Sequence, residues 1–418
     1  MAGSETLKST LTHLYPHVFE EKFEEFFDNS GNVLDWAWQA ALAQVDRSKT
    51  PGSPLNALAG TNDLIITQYE LELRELVNHR IAKYILLGEA VQRGAINITN
   101  LGPDDDVRFA TFLFEEGYSD AVLVGWKGEP RKIDKDPRLV AQVSLIMNLA
   151  ARFISGDFLR QEQTYKDIPT ATQLDIITDD ERDRLQQKFE TNFPLFKSDM
   201  QGYEFSQKPQ NRLDYAIYEA HASGARDAFT GEIHRENHWH AILGRMVVNT
   251  WRVVRFGSGD LIVPPPGNMS SGDLATFSEN SFTRAHLAND VSWEAEQRPV
   301  RFIQSAGDDA VDSMSDYRDL YEKRGFHVTD YGICDLAGKQ HGEQITDGEI
   351  SFCSTTFKRG GSYQENIEKT AYAMLQKGYD DQALASFDLC FKNHPKYPEA
   401  LEFLRCMGYM TPFEGDGE

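Results

Sequence analysis

Apolar positions recur every three to four residues early in the chain, which predicts two amphipathic helices within residues 5–45. The second centres on Val33 to Ala43, with Asn29 or Ser30 near its start as a cap. A Pro-, Gly- and Ser-rich loop over 46–61 leads into a long helical pattern from about Asp63 to Gly94. Leu101-Gly-Pro-Asp-Asp-Asp106 breaks that pattern, and its acidic residues suit a solvated turn and helix start. Ala121 to Trp126 is expected as a strand, helices over 139–155 and 180–191, and Phe196 to Ser206 as a short strand and a turn. That puts Asp199 at a strand end, with Glu204 five residues on. Residues 210–255 are mostly helical in pattern, and Pro264 to Ser281 is a rigid loop opening a helix to about Asn289. Val300 to Asp312 alternates around Gly307-Asp308-Asp309, which predicts a strand, a tight turn and a second strand. Asp316 to Arg324 follows as a helix ended by Gly325, then strands over Phe326 to Tyr331 and Glu349 to Phe357, and a helical tail from Gln364.

Composition narrows the class. No apolar run is long enough to span a bilayer, and Met1-Ala-Gly-Ser-Glu-Thr6 has neither the basic nor the apolar part of a signal peptide. Four cysteines without a C-x-x-C pair suggest neither a zinc ribbon nor a disulfide framework, so a reducing compartment is the default. A formal charge of −23 argues against nucleic acid bound over the general surface, yet allows a locally basic channel. One such segment follows the expected strand at 121–126. Between Lys127 and Arg138 five basic residues stand against three acidic ones.

Candidate chemistry starts at Gly307-Asp308-Asp309. Adjacent carboxylates repel and are most easily tolerated where cations bind, although Gly and Asp also favour turns for purely local reasons. His234 and His238 have a spacing metals can use, but the Glu of the zinc peptidase motif and a third ligand are missing, so a surface pair is expected. Ser271-Gly272 offers a flexible approach point for a substrate backbone, and Thr276, Asn280 and Arg284 recur on one helical face, as a solvent side or as a sugar or template contact. Lys377 to Ala400 resembles a single tetratricopeptide repeat; one repeat cannot bury its own face, so a helical hairpin packed on the rest is expected.

The order of these features is more specific than any one of them. An Asp at a strand end with an acid five residues on, then Ser-Gly-x-x-x-Thr-x-x-x-Asn-Ser, then Gly-Asp-Asp on a hairpin, resembles the palm of the viral RNA-dependent RNA polymerases. Lys127-Gly-Glu-Pro-Arg-Lys-Ile-Asp-Lys-Asp-Pro-Arg138 resembles the basic fingers motif of the enzymes of sobemovirus-like and barnavirus-like positive-strand RNA viruses. Phe352-Cys353-Ser354 looks like their palm-to-thumb strand, and Thr50 to Pro54 like a loop of their N-terminal region; the likeness spans roughly 50–360.

The resemblance implies an α+β right-hand polymerase, mostly helical outside a palm with an antiparallel sheet. Fingers would occupy 1–190 and, as an insertion, 208–260; the palm 191–207 and 261–357; a small helical thumb 358–418. It implies two Mg2+ (or Mn2+) ions on Asp199 and Asp308, with Asp309 assisting, for in-line attack of an RNA 3′-hydroxyl on a triphosphate. Arg131, Lys132, Lys135 and Arg138 would meet the phosphates, Lys127 the template or a structural partner, and Glu204, Ser271, Gly272, Thr276 and Asn280 the ribose. The chain departs from the family at Glu204, where Asp is usual, and at Thr329, where a lysine general acid is expected; Lys339 is the substitute. Partners would be RNA template and product and ribonucleoside triphosphates, with a viral protein primer or other replication proteins left open, in a replication complex of the host cell cytoplasm. The alternatives are a metal-dependent nuclease, which uses similar carboxylate pairs, and a non-enzymatic helical-repeat scaffold.

Overall fold

A computed structural model of the chain describes residues 3–16, 25–99, 101–126, 139–165, 167–170, 178–268, 271–334, 350–358, 361–377 and 380–407. The strands among these are β1 (Val122–Trp126), β2 (Leu139–Gln142), β3 (Leu195–Gln201), β4 (Val254–Phe256), β5 (Leu261–Ile262), β6 (Ile303–Ala306), β7 (Asp309–Asp312), β8 (His327–Cys334), β9 (Ile350–Phe352), β10 (Thr355–Phe357) and β11 (Tyr363–Gln364). The chain divides into two units, one drawn from Met1–Lys127, Arg138–Ile168 and Gly202–Asp290, the other including Pro169–Gln201 and Val291–Glu418.

In the first unit the long apolar pattern forms the helix Asn62–Gln92, started by the Thr61 hydroxyl, which accepts from Leu64 N. It crosses the helix Glu236–Thr250 at two glycines. A Cβ on Gly88 would lie 2.0 Å from the His240 carbonyl oxygen, and one on Gly244 2.0 Å from that of Tyr84. The two backbones therefore touch, which no larger residue permits. The helices Leu145–Glu162 and Pro209–Ala222 pack around this pair. A four-stranded sheet in the order β2-β1-β4-β5 belongs to the same unit, with β1 and β4 parallel and the other pairs antiparallel.

The second unit is built on an antiparallel sheet in the order β6-β7-β3-β8, with a smaller sheet β11-β10-β9. The helix Asp179–Thr191 supplies Leu185 and Phe189 to a core completed by Leu195 of β3, Val311 of β7, Phe352 of β9 and Phe357 of β10. The Phe189 ring meets Phe302, Phe352 and Phe357 edge-on at 5.3–6.3 Å. Truncating such a ring to alanine costs about 3–5 kcal/mol.

Several expectations are revised. The N-cap of the helix Asp35–Ala43 is Leu34, not Asn29 or Ser30; Asp28 instead accepts from the backbone of Ser30 and Asn32 in the turn before it. Residues 139–142 are strand, and the helix expected from 139 begins only after the Ser144 cap. The helix after Pro264 to Ser281 runs to Glu296, where the expected end was Asn289. Glu349 to Phe357, expected as one strand, is a tight hairpin of β9 and β10. The tail is three helices, Ile367–Lys377, Asp381–Phe391 and Tyr397–Cys406, sharing a core of Ile367, Leu384, Phe387, Phe391 and Leu404, rather than a hairpin. Arg182 donates to the Leu389 carbonyl (3.0 Å) and Lys392 pairs with Asp179, so the tail is tied to the helix Asp179–Thr191.

Candidate active site

The two halves of the acidic motif meet in the second unit. Ala306 pairs with Asp309 across the β6–β7 hairpin, leaving Gly307-Asp308 as a two-residue turn in which Gly307 takes φ +69°. On the other side of β7, Ser198 of β3 pairs with Ala310. One step further along this ladder come Asp199 and Asp309, on the face that also carries Lys197 and Val311 because side chains alternate along a strand. Asp199 lies inside β3, at an irregularity of its pairing with β8 between Asp199 and Met200, rather than at the strand's end; its Oδ1 accepts from Met200 N at 2.9 Å.

Asp199 and Asp309 line one cleft of about 170 Å³ with Lys197, Cys353, Ser354 and Glu365. The β9–β10 turn closes its side. Cys353 and Ser354 both sit in the left-handed region, at φ 52° and 53°, so Phe352 pairs with Thr355 and the two-residue turn projects toward the aspartates. The Cys353 thiol donates to Asp309; burial first, then the Asp309 and Asp308 carboxylates, push it well above the ordinary thiol range. It is therefore a neutral donor. Glu365 is occupied by two hydroxyls, Ser351 at 2.7 Å and Thr356 at 3.0 Å. Cys353, Lys197 and Glu365 were not named as site residues from the sequence; Cys353 stood in the Phe352-Cys353-Ser354 motif, and Lys197 stands two residues before Asp199 on the same strand face.

Among the described residues no three carboxylate, histidine or cysteine side chains are gathered closely enough to enclose a metal ion. Magnesium does not require such a cage: it keeps several waters and is held through one or two carboxylates plus substrate phosphates. Asp199 and Asp309, lining one cleft, with Asp308 next to Asp309 in the hairpin turn, fit an ion of that kind.

The expected ribose residues belong to the first unit. Gly202, at φ +58°, turns the chain out of β3 into a single helical turn, Tyr203–Ser206, on which Glu204 is exposed. Tyr203 donates from its hydroxyl to the Asn280 carbonyl (3.0 Å). Ser271 and Gly272 are packed on β2: Ser271 Oγ accepts from Ala141 N at 3.2 Å, and a Cβ on Gly272 would lie 2.2 Å from the Ala141 oxygen. Close backbone packing, not free approach by a substrate, explains this glycine. Thr276 and Asn280 are half-buried, and Asn280 Oδ1 has no partner among the described residues. Arg284 is fully buried, which removes it from any solvent or substrate stripe. Among the described residues no hydrogen bond joins Glu204, Ser271 and Asn280 to one another.

The histidine pair is dispersed. His234 is exposed in a loop before the helix, whereas His238 is buried, stacked on Phe27 at 5.8 Å and pushed down to about 3, mainly by burial. The surface-pair expectation fails for His238, because the first helical turn faces inward there. Lys127, Arg131, Lys132, Lys135, Arg138 and Lys339 lie outside the described residues. Thr329 is exposed on β8.

No protein-family model matches the chain. It is 25% identical over 355 residues, 81% of its length, to replicase polyprotein P2AB of southern bean mosaic virus, and 24% identical over 348 residues to that of southern cowpea mosaic virus. It spans about a third of the length of these polyproteins. In fold it superposes on the crystal structure of the RNA-dependent RNA polymerase of a human picobirnavirus with a TM-score of 0.54, at 13% identity, covering 96% of this chain and 75% of that one. In sequence and in fold together, the chain resembles the viral RNA-dependent RNA polymerases.

Proposed function

We propose that this chain is the RNA-directed RNA polymerase of a positive-strand RNA virus, copying the genome by two-metal nucleotidyl transfer. The observation that carries the proposal is the single cleft shared by Asp199 of β3 and Asp309 of the Gly307-Asp308-Asp309 hairpin. Two Mg2+ or Mn2+ ions, when bound, would supply the Lewis acidity that activates the 3′-hydroxyl and neutralises the triphosphate. Asp199, Asp308 and Asp309 are the residues that would hold them. Cys353, donating to Asp309, fills one acceptor position of that carboxylate.

Arg131, Lys132, Lys135 and Arg138 would meet the incoming phosphates, arginine forks suiting bidentate contact. Ser271, Gly272, Thr276 and Asn280, with Glu204, would sense the ribose 2′-hydroxyl, Gly272 by seating Ser271 on β2. Lys339 is the candidate proton donor to pyrophosphate. In this reading fingers, palm and thumb follow the boundaries 1–190, 191–207, 208–260, 261–357 and 358–418, and the enzyme works in the host cell cytoplasm. No helix among the described residues is long and apolar enough to cross a membrane.

The test is incubation of the chain with an RNA template, the four ribonucleotides and magnesium or manganese. Lengthening of RNA is expected; shortening would replace the proposal with a metal-dependent nuclease.

A further inference from the structure

The loop that presents Ser271 is held from below by buried charge. Arg212, in the first turn of the helix Pro209–Ala222, is 1% exposed. Its guanidinium reaches three points: Nε donates to the Gly267 carbonyl (3.1 Å), Nη2 to the Asn268 carbonyl (2.8 Å), and Nη1 lies 2.7 Å from Glu279 Oε1. Glu279 directly precedes Asn280 on the helix Thr276–Glu296. One side chain therefore grips both the approach to Ser271-Gly272 and the helical turn after it. The approach is also pressed down: at Gly267, φ +96°, a Cβ would lie 2.6 Å from the Gln207 oxygen and 2.7 Å from the Lys208 carbonyl carbon.

A second fastening lies just beyond the loop. Asp273 accepts from Asn249 Nδ2 at 2.8 Å and from Ala275 N at 3.0 Å, with Arg245 Nη1 at 3.6 Å. Arg245 continues to Glu219 at 2.8 Å. Two buried arginines, Arg212 and Arg245, thus face three buried acids, Glu219, Asp273 and Glu279. Burial raises Glu279 toward its neutral form, and the neighbouring Arg212 opposes this. Such a set is held together by mutual compensation, and loss of one member leaves a buried charge unanswered.

We propose that Arg212 is a positioning residue for sugar recognition, fixing the Ser271 loop against the Asn280 turn; this rests on the polymerase reading above. Its planar fork matches three acceptors at once, which the single ammonium of lysine does not. Arg212 fastens Gly267 and Asn268 on one side, and Asp273 is fastened by Asn249 and Arg245 on the other.

The experiment is single-nucleotide extension by the full chain, with R212K and N249A compared with the wild type. Readouts are KM for a ribonucleotide, kcat, and the ratio of kcat/KM for ribo- over 2′-deoxyribonucleotide. For R212K the ratio is expected to fall about tenfold or more with a matching rise in KM, because displacements near 1 Å carry penalties of that order or larger. N249A, which loosens only the far fastening, is expected to show the same signature, smaller. A folded R212K with wild-type KM and ratio overturns the proposal, even if kcat drops, since a merely structural role would lower active enzyme and leave the ratio alone. If R212K does not fold, N249A decides by the same criterion. Absence of extension by the wild type would instead overturn the polymerase reading.

Discussion

Gly272→Ala isolates the contact between the expected sugar-sensing loop and β2. A methyl group there would start 2.2 Å from the Ala141 carbonyl oxygen and 3.3 Å from Val143 N, against an ordinary contact of 3.4 Å or more. Relief therefore needs a movement of about 1 Å, and the obstructing atom is backbone in a strand paired to β1 through Val124 and Ala141, so the loop yields first. A movement of that size carries the Ser271 Oγ to Ala141 N bond, now 3.2 Å, beyond bonding range. Overpacking costs about 1–3 kcal/mol and the lost hydrogen bond about 1 more. The sum, about 2–4 kcal/mol, is read by urea unfolding, and the displaced Ser271 by the ribo- over deoxyribonucleotide ratio in single-nucleotide extension. Ser271→Ala serves as the reference, losing only the hydrogen bond of about 1 kcal/mol. A G272A protein within about 0.5 kcal/mol of wild type, the ordinary range for a surface change, and with an unchanged ratio, would show that the loop does not rest on β2.

Other outcomes follow from buried groups. Glu162, which accepts from Tyr218 at 3.0 Å, is pushed up to about 7 from 4.5 by burial, so the folded state keeps a proton the unfolded state releases. Stability should fall by about 3 kcal/mol as pH rises from about 4.5 to 7 and then level off, and Glu162→Gln should remove that slope; an identical slope in the variant refutes the assignment. His238 is depressed to about 3 from 6.5, so its contribution is present above pH 6.5 and lost as pH falls toward 3. His238→Phe should flatten the acid limb of a Tm against pH curve. Gly244→Ala should destabilise by about 2–3 kcal/mol, because its Cβ meets the Tyr84 oxygen at 2.0 Å; a smaller loss would mean the two helices part readily.

The parts of the fold that could be read along the chain are those with local signals. The hairpin at Gly307-Asp308 announces itself because glycine suits the left-handed turn and alternation flanks it. The hairpin at Cys353-Ser354 has the same geometry without such residues, and its strain is visible only in three dimensions. β2 was hidden because Leu139 to Gln142 is a short apolar run that merges with the helix after Ser144. Asp199 and Asp309 were legible as types and in order, while their adjacency is a matter of register between distant strands. Arg212 shares one buried cluster with Asp273 and Glu279 although it lies tens of residues before them in the chain, and charged residues are seldom fully buried.

The central claim is that Asp199 and the Gly307-Asp308-Asp309 hairpin form a metal-dependent nucleotidyl transfer site. Its most direct test is RNA extension on a defined template by wild type, Asp199→Asn and Asp308→Asn at varied magnesium, with circular dichroism and Tm recorded for each. The account predicts divalent-dependent extension by wild type and a loss of about a hundredfold or more in either variant with the fold intact, since metal-held charge contributes several kcal/mol to such transition states. Extension at the wild-type rate by either folded variant would contradict it.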